Sequence, residues 1–481
     1  MKCIYIIFLF LIFVSIANLA GAQDDSVRYV PINPDSVRIS DTSLTPVYIA
    51  SISIYGNKKT KAFIIEREIP FRQGEYLTPT DLEKRLVIAK QQLTNTSLFL
   101  DVSVYIQNKF GELVFITVSV KERWYLFPLP YFKLADRNFN TWWVTYNHSF
   151  QRVNYGVKFL HNNISGRNDK FNAWLITGYS RQIALKYERP FVDRNLHYGY
   201  NIYFNYTKQR EMNYGTSENV QKFFKPDSLF FVRRGFRTEV DYVYRPRLRT
   251  KHIFRLQYAG EKIADTIAAL NPNYFPAGKT EVSYPEIGYV LQFFHADYNA
   301  YPTKGFLGEA RLFHRGFNSE VNVTQLQLNG SYTIPLLPKT QIQFKEGAII
   351  MLPFNQPFYN KRLFGYGDIF MRGLEYYVID GVAGVVGRAT LQNQFLQFTT
   401  KLAPGSKREI NLPFTIAAKL YSDIGYAYDK IPTNSMLNNK LLYSWGVGLD
   451  VVAVYDIVFK FDYSFNQFGE SGFYIHARTD F

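Results

Sequence analysis

Cysteine is all but missing from this sequence: the only one in 481 residues is Cys3. Without a second thiol the chain cannot cross-link itself or build the thiolate sites that zinc prefers. Long apolar runs are missing too. No internal stretch approaches the ~18–20 apolar residues of a membrane-spanning helix. Nor is there a Gly-x-Ser-x-Gly elbow, a His-Glu-x-x-His pair or a phosphate loop closed by Lys-Ser/Thr. The stretch "GYGDIF" (Gly365 to Phe370) has the glycines of such a loop and lacks its lysine. The seven histidines (His148, His161, His197, His252, His295, His314 and His476) are scattered. These gaps remove the usual footholds for hydrolysis, metal catalysis and nucleotide binding. No enzymatic activity, metal or cofactor is expected.

What the chain has in excess is aromatic side chains: 37 Tyr and 42 Phe, 17% aromatic with Trp, at a mean hydropathy of only -0.17. Low hydropathy with many aromatics suits a transmembrane β-barrel, where every second side chain meets lipid. The first residues read as a targeting segment, 1–22. Lys2 gives the positive start, "IYIIFLFLIFV" (Ile4 to Val14) the apolar core and "ANLAGAQ" the small residues for cleavage after about Ala22. "LAGA" nearly spells a lipoprotein signal, which needs a cysteine where Ala22 stands. An exported, unlipidated chain is expected. Its formal charge of +15 falls to +14 without Lys2. Basic charge can mean nucleic acid, but export argues for none. An anionic membrane surface, or basic residues solvated in loops and lumen, fits better.

Residues 23–45 form a polar linker rich in Asp, Ser and Pro, with "DSVR" at Asp25 and again at Asp35. Residues 46–122 read as a small α+β unit in the order β-α-α-β-β. "VYIASISIYGN" (Val47 to Asn57) alternates like a strand and ends in a turn. "TKAFIIEREI" (Thr60 to Ile69) reads as a short helix capped by Thr60. In "TPTDLEKRLVIAKQQL", Thr78 caps, Pro79 opens and Asp81 completes a capping box. Leu82, Leu86, Ala89 and Leu93 then share one helical face. Two strands follow, the second with Val114, Ile116, Val118 and Val120 on one side.

From residue 123 to 481 the chain reads as strand after strand. "LYSWGVGL" sets Tyr443, Trp445, Val447 and Leu449 against Ser444, Gly446 and Gly448. "YDIVFKFDYSF" turns Tyr455, Ile457, Phe459, Phe461, Tyr463 and Phe465 outward against Asp456, Lys460 and Asp462. "QLQLNGSYTI" does the same with Leu326, Leu328, Tyr332 and Ile334. The last strand sets Phe473, Ile475, Ala477 and Phe481 against Tyr474, His476, Arg478 and Asp480. Charge confined to alternate positions implies a polar lumen and an apolar exterior. At ~22 residues per strand plus turn, the segment holds about sixteen strands. The expected fold is mainly β: an antiparallel transmembrane barrel behind one small α+β module.

That module resembles a POTRA domain in "GNKKTKAFIIEREI", "LTPTDLEKRL", "TSLFLDVSVYI" and "VSVKE". Behind it, "FMRGLEYY" resembles the arginine–glycine loop of the BamA/TamA/FhaC superfamily of outer-membrane insertases and translocators. "YERPFVDRN" (Tyr187 to Asn195) and "YPTKGFLGEARLF" (Tyr301 to Phe313) are similar to turn motifs of the same family. The resemblance implies a loop after the eleventh barrel strand that folds into the lumen. It assigns Met371, Arg372, Gly373 and Leu374 to the loop motif, with Met371 and Leu374 replacing the commoner β-branched and aromatic neighbours. Asp423 in "LYSDIGYAY" becomes the acidic partner of Arg372. Gln392 stands at a neutral second-partner position. A buried guanidinium needs such a partner, and glycines at Gly365, Gly367 and Gly373 supply the hinges.

The resemblance also implies a bacterial outer-membrane location with the module in the periplasm. A client strand would pair with the module's sheet edge, then with a barrel seam. The seam strand carrying Phe473, Ile475, Ala477 and Phe481 would form one side and a strand within Trp124–Phe150 the other. Expected partners are unfolded outer-membrane or exported proteins, outer-membrane lipid and lipopolysaccharide, and periplasmic chaperones or accessory lipoproteins. A dedicated two-partner-type secretion transporter is the runner-up reading, and a passive porin-like channel the third.

Overall fold

The computed structural model describes residues 45–134, 147, 149–226, 230–317, 321–367, 369–402, 410–432 and 434–479. The targeting segment, nearly all of the linker and Phe481 lie outside these residues, as does the side chain of Ala477. No helix among the described residues is long and apolar enough to cross a membrane.

The module begins with β1 (Val47–Tyr55), α1 (Ala62–Glu68), the two-residue β2 (Tyr76–Leu77) and α2 (Pro79–Asn95). It ends with β3 (Phe99–Phe110) and β4 (Leu113–Glu122). The sheet order is β2-β1-β4-β3, with β1 parallel to β4 and β3 antiparallel to it. Alternation along β4 buries Val114, Ile116, Val118 and Val120 against Leu82, Ala89 and Leu93 of α2, with Leu86 half-buried beside them. Each fully buried aliphatic side chain contributes roughly 1.5–3 kcal/mol. Thr78 caps α2 by accepting from the Asp81 N–H at 3.2 Å. Thr60 caps nothing. The residue flanking α1 is Lys61, with no side-chain cap bond, because the Thr60 hydroxyl is engaged by Tyr125 and Asn163.

The chain then builds a single antiparallel sheet. Its first half is β5 (Leu126–Leu134), β6 (Val153–Asn162), β7 (Lys170–Gly178), β8 (Arg181–Arg189) and β9 (Tyr198–Gln209). A separate hairpin, β10 (Met212–Ser217) and β11 (Val220–Phe224), stands between β9 and the next sheet strand. The sheet resumes with β12 (Arg233–Arg247) and β13 (Thr250–Ile263), followed by the helix α3 (Asp265–Leu270). Then come β14 (Glu281–Ala296), β15 (Gly305–Arg315), β16 (Val323–Leu337) and β17 (Thr340–Leu352). A long loop carries the short pair β18 (Arg362–Phe364) and β19 (Ile379–Asp380). The sheet closes its count with β20 (Ala383–Leu402), β21 (Ile410–Tyr428), β22 (Leu441–Val452), β23 (Ile457–Asn466) and β24 (Ser471–Thr479).

Sixteen strands run in sequence order from β5 to β24, the hairpin and the short pair excepted. Each pairs with its neighbours, but among the described residues no ladder joins β5 to β24. At the module end the edge strand β5 meets the turn between β22 and β23, where Phe127 packs edge-on against Tyr455 with ring centroids 5.7 Å apart. Outward positions are apolar and exposed: Leu175, Leu185, Ile202, Phe204, Phe254, Leu256, Leu326, Leu328, Tyr332, Tyr443, Trp445, Val447 and Leu449 among them. Tyr455 and Ile457 depart from the expected pattern. Tyr455 sits in a short 3₁₀ turn (Val454–Asp456) at φ +59°, and Ile457 is buried, because the alternating strand starts only at Ile457.

Module and barrel are knitted together. Phe191 and Leu196, from the β8–β9 turn, are part of the module's own core. Arg245 grips Glu68 of α1 with two bonds of 2.7 and 3.0 Å. Arg67 lies over the Phe191 ring and donates to the carbonyls of Leu196 and Arg245. Burial, and then the Arg245 charge, lower the Arg67 guanidinium to about 10. Asn95 bonds the β14–β15 turn.

Candidate functional site

The loop between β17 and β20, the eleventh and twelfth strands of the sheet, starts at the far end of the barrel and folds inward. Ile369, Met371, Arg372 and Leu374 are all buried there, Arg372 to 8% exposure. The inner wall makes room for them. A Cβ at Gly425 would stand 2.8 Å from the Met371 sulfur, and Ile369 packs over Gly347. The reversal at Gly373 has φ +82°, and a Cβ there would come within 3.2–3.3 Å of Phe465 O and of the Ser464 and Ser444 Cβ atoms. Only glycine meets both demands comfortably. Gly365, at φ +83°, turns the loop inward, and a Cβ there would lie 2.7 Å from Tyr377 O. Gly367 is not a hinge. Its φ is ordinary and nothing stands within 4 Å of where its Cβ would be, because that turn faces open space.

Arg372 meets Asp423 of β21 along the whole edge of its fork. Its Nε lies 3.0 and 3.1 Å from the two carboxylate oxygens, its Nη2 also donates to Oδ1, and its backbone N–H donates to Oδ2 at 2.9 Å. The remaining Nη1 donates to Thr390 Oγ1 at 3.0 Å. The guanidinium lies 4.0 Å above the ring of Tyr421, whose hydroxyl is held by Ser464 at 2.6 Å. The Asp423 side chain is wholly buried. Charge-assisted bonds of this kind are what make burial of both ions tolerable. Gln392 takes no part. It lies one lumen-facing position beyond Thr390 on β20 and accepts from Gln341.

Sequence reasoning missed three members of the site. Thr390 fills the neutral position expected of Gln392, and Tyr421 supplies the aromatic floor. Arg388 stacks on Phe370 at 4.6 Å, donates to the Phe370 carbonyl and places its Nε 3.9 Å from Asp423. All three lie on the same alternating face as Asp423, opposite or next to it in register. That periodicity was the available signal. Beyond Tyr421 the inward row continues with Lys419, whose ammonium lies 2.5 Å from Asp450 and 2.6 Å from Asp462.

The far end is closed over the loop. Asn219, in the β10–β11 turn at φ +61°, is buried and makes five hydrogen bonds. Two exchange with the backbone of Val378. Three reach its Oδ1 from Ser435 and from the N–H groups of Met436 and Leu437. Tyr366 bonds Thr216 of the same hairpin and Asp380 of the loop.

The module end has its own node at Asp456. Arg123 binds it with both terminal nitrogens at 2.7 and 3.1 Å, Ser97 donates at 2.9 Å and Tyr298 at 2.5 Å. Burial opposes the charge, but Arg123 outweighs it with help from Tyr298 and Ser97. The carboxyl is held below the usual range.

Residues 47–123 match the POTRA family model, "Surface antigen variable number repeat". No curated protein matches the chain by sequence. In structure the chain resembles CdiB from Escherichia coli, with a TM-score of 0.51 at 10% identity, covering 90% of this chain and 75% of that one. BamA from Haemophilus ducreyi lacking POTRA domains 1–3 aligns at 0.47 and 16%, covering 89% and 83%. CdiB from Acinetobacter baumannii aligns at 0.44 and 13%, covering 89% and 74%. The chain is a POTRA-and-barrel protein. Its fold, a POTRA module ahead of a sixteen-stranded antiparallel sheet, is similar to that of CdiB from Escherichia coli.

Proposed function

We propose that this protein inserts or translocates other polypeptides at the bacterial outer membrane, with the module on the periplasmic side. One observation carries the reading: the sixteen-stranded sheet has two nine-residue edge strands, β5 and β24, with no ladder between them among the described residues. Unpaired N–H and C=O groups are costly in lipid and template a third strand. The continuous apolar exterior fits a bilayer better than water. The free edge of β3 in the module offers a first docking strand for an extended client. The buried Arg372 loop braces the wall while the seam works. No bond-making chemistry is involved. A loop lying in the lumen counts against a passive channel.

The test is depletion in the host followed by quantitative proteomics of the outer membrane. Broad loss of barrel proteins supports a general insertase, and loss of one or a few exported proteins a dedicated translocator. An unchanged proteome with altered solute uptake would overturn both.

A further inference from the structure

The loop that reaches Asp423 does not stop there. Five positions run from Phe370 to Leu374, and the next three residues cross to the last strand. Glu375 Oε1 lies 3.4 Å from His476 Nε2 of β24. Both Glu375 oxygens are buried and receive no hydrogen bond, nor does His476 Nε2, so the carboxylate and the imidazole face each other as mutual partners, with the Arg388 guanidinium close enough to act on the same carboxylate. The Phe370 ring packs on the same imidazole at 5.2 Å, and Tyr376 on Tyr474 at 5.5 Å. Tyr377 donates to Glu470, just before β24, at 2.8 Å, and Asn466 donates to the Gly373 carbonyl at 3.0 Å. Tyr474 and His476 are lumen-facing positions of a strand that has, among the described residues, one ladder, to β23. The loop therefore contributes the lateral restraint that a second ladder gives every interior strand.

We propose that Glu375 and His476 form a clasp through which the Arg372 loop holds the inner face of β24, so that the seam strand is released only when the loop lets go. Glu375 is a positioning residue in this scheme, and its effect is read on β24 rather than on any client. The inference rests on the seam reading above and adds its control. Arg372 fixes the loop to the wall at β21, and Glu375 passes that fixture on to the moving edge.

The test is backbone hydrogen exchange on the full-length protein in detergent. Glu375→Gln, which keeps shape and removes charge, is expected to speed exchange of residues 471–479 several-fold and to leave 323–352 unchanged. A reversible lock provides an independent arm. On a Cys3→Ser background, Tyr376→Cys with Tyr474→Cys is bridged by a short bis-methanethiosulfonate linker. Exchange in 471–479 should slow when the bridge forms and recover on reduction, within one folded sample. If neither the substitution nor the bridge changes exchange in β24, the clasp is wrong. If exchange responds while bridged protein still inserts clients at the wild-type rate in vesicles, the control assigned to the clasp is overturned; if exchange responds and even the unbridged protein inserts no client, the clasp stands and the insertase reading fails.

Discussion

Arg372 and Asp423 are each other's main partner inside a closed space, so losing either strands the other. Breaking a buried pair from one side costs about 3–5 kcal/mol. Arg372→Ala and Asp423→Ala should each lower the thermal or urea stability of the detergent-solubilised barrel by that order. The double variant should be no worse than the poorer single one. Additive losses in a double-mutant cycle would dissolve the pair. The glycines give a sharper contrast. Gly373→Ala forces a side chain into positive φ and a crowded wall, and should cost more than about 1 kcal/mol. Gly367→Ala should be neutral in the same unfolding measurement. The arginine and its loop stood out because an isolated cation among aromatics and glycines is a local signal, whereas Asp423 was named only through the resemblance of its Asp-x-Gly strand to the family motif. Thr390, Tyr421 and Arg388 were not, because their role depends on register between strands. Register is set by the whole sheet.

At the scale of elements, the sequence told strand from helix wherever alternation was long, as in β4 and β22. It failed at ends. Thr60 has a capping side chain but spends it on Tyr125 and Asn163, and Tyr455 has an outward-strand residue type but lies in a turn. Tertiary contacts decided both. The two turn motifs also acquire a use that spacing could not reveal. The β8–β9 turn lends Phe191 to the module core, and the β14–β15 turn sends Tyr301 to Asp450 on the inner wall. Docking at Asp456 has a defined pH dependence. Its folded carboxyl is held low by Arg123, so the stabilisation is complete above the ordinary carboxylate value of about 4. It is lost as acid carries the pH down through the depressed folded value. The module should remain seated at pH 5 and loosen only well below pH 4, read as exchange in residues 97–99 and 123–127. Asp456→Asn should loosen the same peptides at neutral pH, since it leaves Arg123 buried without its counter-charge.

For the molecule as a whole, composition and alternation were enough for a barrel of about sixteen strands behind a small module, because lipid and lumen impose opposite chemistries on neighbouring residues. How the ends are closed was not legible, since the closures join segments more than two hundred residues apart through polar side chains. Asn219 is the clearest of these. Asn219→Ala removes the acceptor shared by the Met436 and Leu437 N–H groups, of which the Leu437 N–H is buried, at about 1–3 kcal/mol for that group. Hydrogen exchange should then rise together in residues 212–224, 376–380 and 434–439. A rise confined to one of the three would show that the others hold independently. The consequence reaches further than stability. One amide serves three loops from distant parts of the chain, so opening one of them strands polar groups on the other two. The loops should loosen together rather than one at a time, because Tyr366, Asn434 and Asn438 tie the same three segments beside Asn219.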